Sequence, residues 1–408
     1  MGFFVYRIPH ILWGLFVDLG LMKKYQSIII LSILFVLSDV KSQMRYQHEI
    51  FDEVTKTEDV VYGNAPDLPF LFLFEWNTTD TDLDMDIYEP AGDTLTNRPV
   101  IIFLHSGSFF TGSNEADDMV SLSTASAKRG YVAVSITYRL GLNILSSYSG
   151  ERAVYRGVQD VSAAIRHLRE NHIDYGIDYD KIFVWGSSAG SFIGLHLAYT
   201  EDDERPESTF GGGDDPDLGC IDCEGNDYEH ESKPDALISC WGAIGDLEWI
   251  DEDNNTPTIM FHGSSDGVVP FNSGYPFTLN ILLPIVYGSN LIHDHLNELN
   301  IENKLYAEEG LLHEYWGTFN GNWTGEPNEY FDLIKEESYS FLFSILYPYQ
   351  VGDINNDGLI NIDDISYMVD IIINNDSSSV SLYYSDFNYD GLTNIFDLLM
   401  IIDTLDNI

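Results

Sequence analysis

The sequence predicts an α/β protein: a mostly parallel β-sheet doubly covered by helices, followed by a small all-α unit. Three observations carry this. Short apolar, β-branched runs alternate with segments of helical spacing as far as residue 347. The runs are continuously apolar, as strands buried on both faces require. Past residue 350 a twelve-residue pattern occurs twice, each copy leading into an apolar helical stretch.

The expected strands are 99–104, 131–137, 181–185, 236–241, 257–261 and 303–307. The expected helices are 117–129, 151–172, 188–199, 288–299 and 328–345. Residues 83–88 (LDMDIY) alternate, and are read as a half-exposed strand near the sheet edge. The chain has 408 residues, 44% of them apolar, enough for a large core. Its 19 Lys and Arg against 66 Asp and Glu give a formal charge of −47, which disfavours nucleic acid and anionic membranes as partners.

The N-terminus carries a targeting pattern. Residues 28–37 (IIILSILFVL) are an apolar run of ten, too short to span a membrane, preceded by Met22-Lys23-Lys24 and followed by Val40-Lys41-Ser42. This is the layout of a signal peptide starting at Met22. Residues 1–42 are therefore expected to be an over-long start plus leader, cleaved near Ser42-Gln43. The protein is expected to be secreted, with no membrane association in the mature form. Residues 43–347 form the α/β domain.

Residues 201–234 interrupt the rhythm with 13 acids against Arg205 and Lys233, and no apolar period. This acidic insertion is either a lid or a solvated loop. Cys220 and Cys223 lie inside it and are expected to form a small disulfide, since no second ligand pair points to metal. Cys240 reads as a core residue.

Chemistry enters at Gly186-Ser187-Ser188-Ala189-Gly190, which follows one expected strand and opens the helix 188–199. A tight strand-to-helix turn of this kind holds a serine exposed, at the positive end of a helix. His105-Ser106-Gly107-Ser108-Phe109 ends another strand, 83 residues before Ser188. Two later strand ends carry Asp266, in His262-Gly263-Ser264-Ser265-Asp266, and His313, in Glu309-Gly310-Leu311-Leu312-His313-Glu314. They lie 78 residues after Ser188 and 47 residues after Asp266. A serine is a poor nucleophile until a base takes its proton. His313 can be that base, and Asp266 can orient it. Asp246 and Glu309 remain alternative acids, His262 reads as a structural residue, and His293 and His295 read as surface residues.

This constellation, over residues 85–345, resembles the α/β-hydrolase carboxylesterases. Tyr138-Arg139-Leu140 and Val268-Val269-Pro270 add to the likeness. The resemblance implies ester hydrolysis through an acyl-enzyme without a cofactor. The catalytic residues would be Ser188, Asp266 and His313, and the oxyanion donors Gly107, Ser108 and Ala189. Ser106 and Ser108 stand where the family usually has glycine, so any position needing positive φ would be strained. The alternatives are a peptidase or amidase with the same triad, and a non-catalytic binding protein.

The C-terminal repeat runs from Asp353 to Asp364 and again, 33 residues on, from Asp386 to Asp397. Oxygen donors stand at positions 1, 3, 5, 9 and 12 of each copy, with glycine at 6, as a calcium loop requires. The segment 351–408 resembles a type I dockerin. That resemblance implies two structural Ca²⁺ ions. One would be held by Asp353, Asn355, Asp357, Asn361, Asp364 and the Leu359 carbonyl. The other would take Asp386, Asn388, Asp390, Asn394, Asp397 and the Leu392 carbonyl. A cohesin-like protein partner is implied, although Ile362-Asp363 and Ile395-Phe396 replace the hydroxyl pairs usual at positions 10 and 11. A dockerin-like unit beside an esterase points to polysaccharide-linked acetyl or feruloyl esters.

Overall fold

A computed structural model describes residues 45–69, 75–143, 145–146, 148–277, 283–348, 351–355, 358–374, 384–387 and 393–406. The leader, the start at Met22 and the cleavage point at Gln43 lie outside them. The chain divides into two compact units, one spanning Tyr46–Pro348 and the other holding Tyr349–Ile408.

The larger unit is built on an eight-stranded sheet. Its strands are β1 (Val54–Asp67), β2 (Thr79–Pro90), β3 (Arg98–Leu104), β4 (Val132–Ile136), β5 (Ile177–Ser187), β6 (Ala236–Cys240), β7 (Thr258–Gly263) and β8 (Asn303–Glu308). Their order is β1-β2-β4-β3-β5-β6-β7-β8. Strands β3 to β8 pair in parallel, and β2 pairs antiparallel to both β1 and β4. The core strands explain their continuous apolar runs. Val100, Ile102 and Leu104 enter one core layer, while Ile101 and Phe103 enter the other. Val184 and Trp185 part in the same way on β5.

One expectation fails at the β1 edge, and one strand there was missed. Residues 83–88 are not half-exposed: Leu83, Met85, Asp86, Ile87 and Tyr88 are all buried. The cause is β1, which the sequence reading did not find and which covers β2 along nearly its whole length. Its charged stretch Lys56-Thr57-Glu58-Asp59 hides the strand pattern, and its register shifts twice on the way.

Helices α1 (Asp117–Lys128), α2 (Ser149–Glu170), α3 (Ala189–Tyr199), α4 (Ser289–Glu298) and α5 (Glu329–Leu346) cover the sheet. Among the described residues no helix is long and apolar enough to cross a membrane. Helix α2 is buried on two sides. Val158, Val161, Ile165 and Leu168 pack toward the sheet. A second stripe, at spacings of three and four, anchors the acidic insertion. Arg152 donates to the carbonyls of Ser208 (2.6 Å) and Pro216 (2.8 Å), and Tyr155 to that of Gly219 (2.9 Å). Gln159 donates to Leu218 O at 2.6 Å, Ser162 to Asp222 at 2.5 Å, and Arg166 to Asn226 O (2.8 Å) and Glu224 O (2.9 Å). Arg169 reaches the carbonyl of Glu231. The insertion lacks an apolar period because backbone carbonyls on a row of donors hold it down. Cys220 and Cys223 form a disulfide within it, and Cys240 is a free, buried thiol.

The smaller unit contains α6 (Ile362–Asn374) and α7 (Ile395–Asp406), which pack on each other and bury Met368 and Ile401. Its two halves repeat the same hydrogen bonds. Asn361 N–H donates to Asp364 Oδ2 at 2.8 Å, and Asn394 N–H donates to Asp397 Oδ2 at 2.9 Å. The Asn361 side chain accepts from Asp363 N–H at 2.8 Å, and the Asn394 side chain from Phe396 N–H at 2.9 Å. These are the helix N-terminal turns that the 33-residue offset foreshadows.

Candidate active site

Parallel strands set the site at their carboxyl ends, where the loops after β3, β5, β7 and β8 meet. The β3/β5 register pairs Leu104 with Gly186, bringing the loop from His105 beside the turn at Ser188. The β7/β8 register pairs Gly263 with Glu308, which does the same for the loops bearing Asp266 and His313.

Ser188 sits at φ 51° and ψ −111°, a left-handed conformation that L-residues rarely adopt. Its N–H donates to the Cys240 carbonyl at 3.0 Å, and small neighbours make the turn feasible. A Cβ on Gly190 would stand 2.2 Å from the Leu104 carbonyl oxygen. One on Gly186 would stand 2.4 Å from the Gly190 oxygen. Glycine is required at both by close approach of backbone.

The structure brings Ser188, His313 and Asp266 together. His313 Nε2 lies 2.8 Å from Ser188 Oγ, and His313 Nδ1 lies 2.6 Å from Asp266 Oδ2. Asp266 Oδ1 accepts the N–H groups of Val268 (2.7 Å) and Val269 (3.0 Å). Burial alone would push the Asp266 carboxyl up. Hydrogen bonds from His262 and His313, and their charge, outweigh it and hold the group well below the usual carboxylate range. Asp246 instead caps the N–H of Glu248, and Glu309 is exposed on the loop before His313.

The loop after β3 is tied from beneath. Tyr138 donates to the His105 carbonyl at 2.8 Å and stacks on its ring at 4.1 Å. Burial pushes the His105 imidazole down to about 4, against a hydrogen bond to the Ser106 carbonyl. Ser108 (φ 56°) and Phe109 (φ 58°) both hold positive φ, and the Phe109 carbonyl accepts from Gly141 at 2.9 Å. The strain anticipated for a serine in this loop is present, and extends to Phe109. Ser108, Phe109 and Ala189 line the cavity with Ser188. Among the described residues no acceptor meets their N–H groups. Gly107 lies one step behind, its carbonyl accepting from Phe110 and Thr111. Phe109, with its left-handed backbone on the cavity wall, is the loop residue that sequence reasoning missed.

The cavity measures about 480 Å³. Phe109, Tyr155, Phe192, Trp249, Phe277 and Leu283 give it an apolar wall, and Thr200 to Ser208 bring the acidic insertion to it. His293 and His295 are not free surface residues: they are half-buried, bonded to Asn303 (2.5 Å) and to the Ile250 carbonyl (3.0 Å). In the smaller unit Asp353, Asp364, Asp386 and Asp397 are buried. Asp364 Oδ1 accepts from Ile354 N–H (2.7 Å) and Asn355 N–H (3.1 Å), and Asp353 Oδ2 from Gly358 N–H (2.8 Å). Of the other expected calcium ligands, Leu359, Asn361 and Asn394 are described; Asp357, Asn388, Asp390 and Leu392 lie outside the described residues. Among the described residues no three His, Cys, Asp or Glu gather as metal ligands.

Residues 85–245 match the BD-FAE family. Over 113 residues, 27% of this chain and 19% of the relative, the sequence is 35% identical to carboxylesterase 3B of Mus musculus. Over 200 residues, 47% of this chain and 26% of the relative, it is 28% identical to the neuroligin-like protein glit-1 of Caenorhabditis elegans. The chain thus matches about a fifth to a quarter of the length of these curated relatives. A solved structure of the esterase Est2 of Thermogutta terrifontis, with propionate bound, covers 65% of this chain and 90% of its own, at 23% identity and TM-score 0.47. The segment matched by the family model carries the loop after β3 and the turn at Ser188.

Proposed function

We propose that the protein is a serine carboxylic-ester hydrolase acting through an acyl-enzyme. The observation that carries this reading is the bonded series Ser188–His313–Asp266, opening on a cavity lined by N–H groups without an acceptor. His313 Nε2 takes the Ser188 proton as Oγ attacks the ester carbonyl. The N–H groups of Ser108 and Ala189, with Gly107 and Phe109 shaping the loop, stabilise the oxyanion. His313 then protonates the leaving alcohol, and later activates the water that releases the acid. Asp266 stays ionised throughout, holding the imidazole in register.

A polysaccharide-linked ester is the proposed substrate, and the wide aromatic wall supports the bulky feruloyl type over acetyl. Among matched 4-nitrophenyl esters, a phenylpropenoyl ester should exceed acetate in kcat/KM by about tenfold or more, as burying an extra aromatic group allows. Matched anilides should be turned over far more slowly. Acetate preference would restore the acetyl reading, and anilides hydrolysed as fast as esters would favour the amidase.

We further propose secretion by the residue 28–37 leader, and a calcium-dependent docking unit at 351–408 for a cohesin-like partner. The twice-repeated bonds and four buried carboxylates support the unit, in a segment without Lys or Arg. Bound Ca²⁺ would neutralise these carboxylates, with Asp353, Asn355, Asp357, Asn361 and Asp364 in one loop and their counterparts 33 residues on in the other. Exposed Ile362, Ile395 and Phe396 offer an apolar surface to a partner. Titration calorimetry of the chelator-treated full chain should show two Ca²⁺ bound, and one after Asp364→Ala. No uptake would end the docking reading.

A further inference from the structure

We propose that His262 is a positioning residue for the hydrolysis, sharing with His313 the carboxylate oxygen that orients the catalytic base. The inference rests on the serine-hydrolase reading above. His262, one residue before the end of β7, is fully buried and points its Nε2 at Asp266 Oδ2 across 3.3 Å. That oxygen is the one His313 Nδ1 meets at 2.6 Å. The same Nε2 lies 3.2 Å from the Val269 carbonyl, so it faces two acceptors and carries the hydrogen. Nδ1 is fixed by the Ser289 hydroxyl at 2.8 Å, from the first residue of α4. The Phe271 ring stands edge-on to the imidazole, 5.5 Å between centroids.

Asp266 therefore has four donors: two backbone N–H groups on Oδ1 and two histidines on Oδ2. Both carboxylate oxygens are fixed, so the Oδ2 direction that aligns His313 does not depend on His313 itself. The charged or titratable groups facing this carboxylate are His262 from β7 and His313 from the loop after β8. Helix α4 offers only the Ser289 hydroxyl, and the loop 267–271 offers N–H groups and Phe271.

Without His262, Oδ2 keeps His313 as its one remaining histidine partner, and the direction in which the carboxylate holds the base is set less firmly. His262→Ala should lower kcat about tenfold with KM within about twofold, since a misaimed base loses transition-state stabilisation rather than binding. His262→Gln places an amide N–H near the lost Nε2 and should restore most of kcat. A folding defect alone would lower the amount of active enzyme, and active-site titration with a phosphonylating reagent corrects for that amount. An unchanged kcat per titrated site in His262→Ala, a loss carried by KM instead of kcat, or a Gln variant no better than Ala overturns the proposal. An inactive wild-type protein would instead remove the hydrolase reading itself.

Discussion

Ser188→Ala is expected to lower kcat on a good ester substrate by about 10³-fold or more while the thermal midpoint stays near that of the wild type. The fold should tolerate the change because alanine removes only Oγ, whose bond is to His313, and leaves the Ser188 N–H on the Cys240 carbonyl. His313→Ala should cost a similar factor, since without a base the serine keeps its proton. The double variant should be hardly worse than either single one, because the two groups act as a unit. Asp266→Asn should be milder: the base remains, but its Nδ1–H meets an amide in place of a carboxylate. Circular dichroism and active-site titration alongside the kinetics separate lost chemistry from lost protein. Near-normal turnover in Ser188→Ala would require a different nucleophile.

Gly190→Ala should be a severely damaging change for so small a side chain. The added methyl would meet the Leu104 carbonyl oxygen at 2.2 Å and the Leu104 carbonyl carbon at 2.6 Å. Neither can swing aside, since Leu104 lies on β3 between β4 and β5. Helix α3 must lift from the sheet, at a cost of about 3 kcal/mol or more. The displacement also separates the turn at Ser188 from the loop after β3, so stability and turnover should fall together. Gly194→Ala is the natural comparison. Its methyl would meet the Leu237 Cδ1 atom at 2.7 Å, the end of a side chain that can change rotamer. A thermal melt should show a large drop for the first variant and a small one for the second. Equal midpoints would mean that the packing at the turn is looser than described.

What the sequence made legible was whatever depends on local pattern. The buried strands announced themselves by unbroken apolar runs, and Gly186 to Gly190 by small residues between a strand and a helix. Asp266 and His313 could be placed because each follows a strand by a few residues, and parallel strands deliver such loops to one end of the sheet. What was illegible depends on partners distant in sequence. Strand β1 looks polar and becomes a strand only against β2. The donor stripe from Arg152 to Arg169 resembles an ordinary solvated helix face until the carbonyls of residues 208–231 lie on it. Phe109 gave no sign of a left-handed backbone, because the bonds holding its carbonyl come from Gly141 and Leu142. His262 read as a strand end, since its tie to Asp266 depends on how the following loop turns back.

The most direct measurement of the central claim is the site of covalent capture by a fluorophosphonate, read by peptide mass spectrometry. The reagent mimics the attacked carbonyl, and reacts with a serine only where a base and an oxyanion site are assembled. The account predicts one adduct per chain, on the peptide bearing Ser188, absent in Ser188→Ala and formed far more slowly in His313→Ala. Ester turnover that persists with Ser188 unlabelled, or an adduct on another residue that abolishes activity, would contradict it.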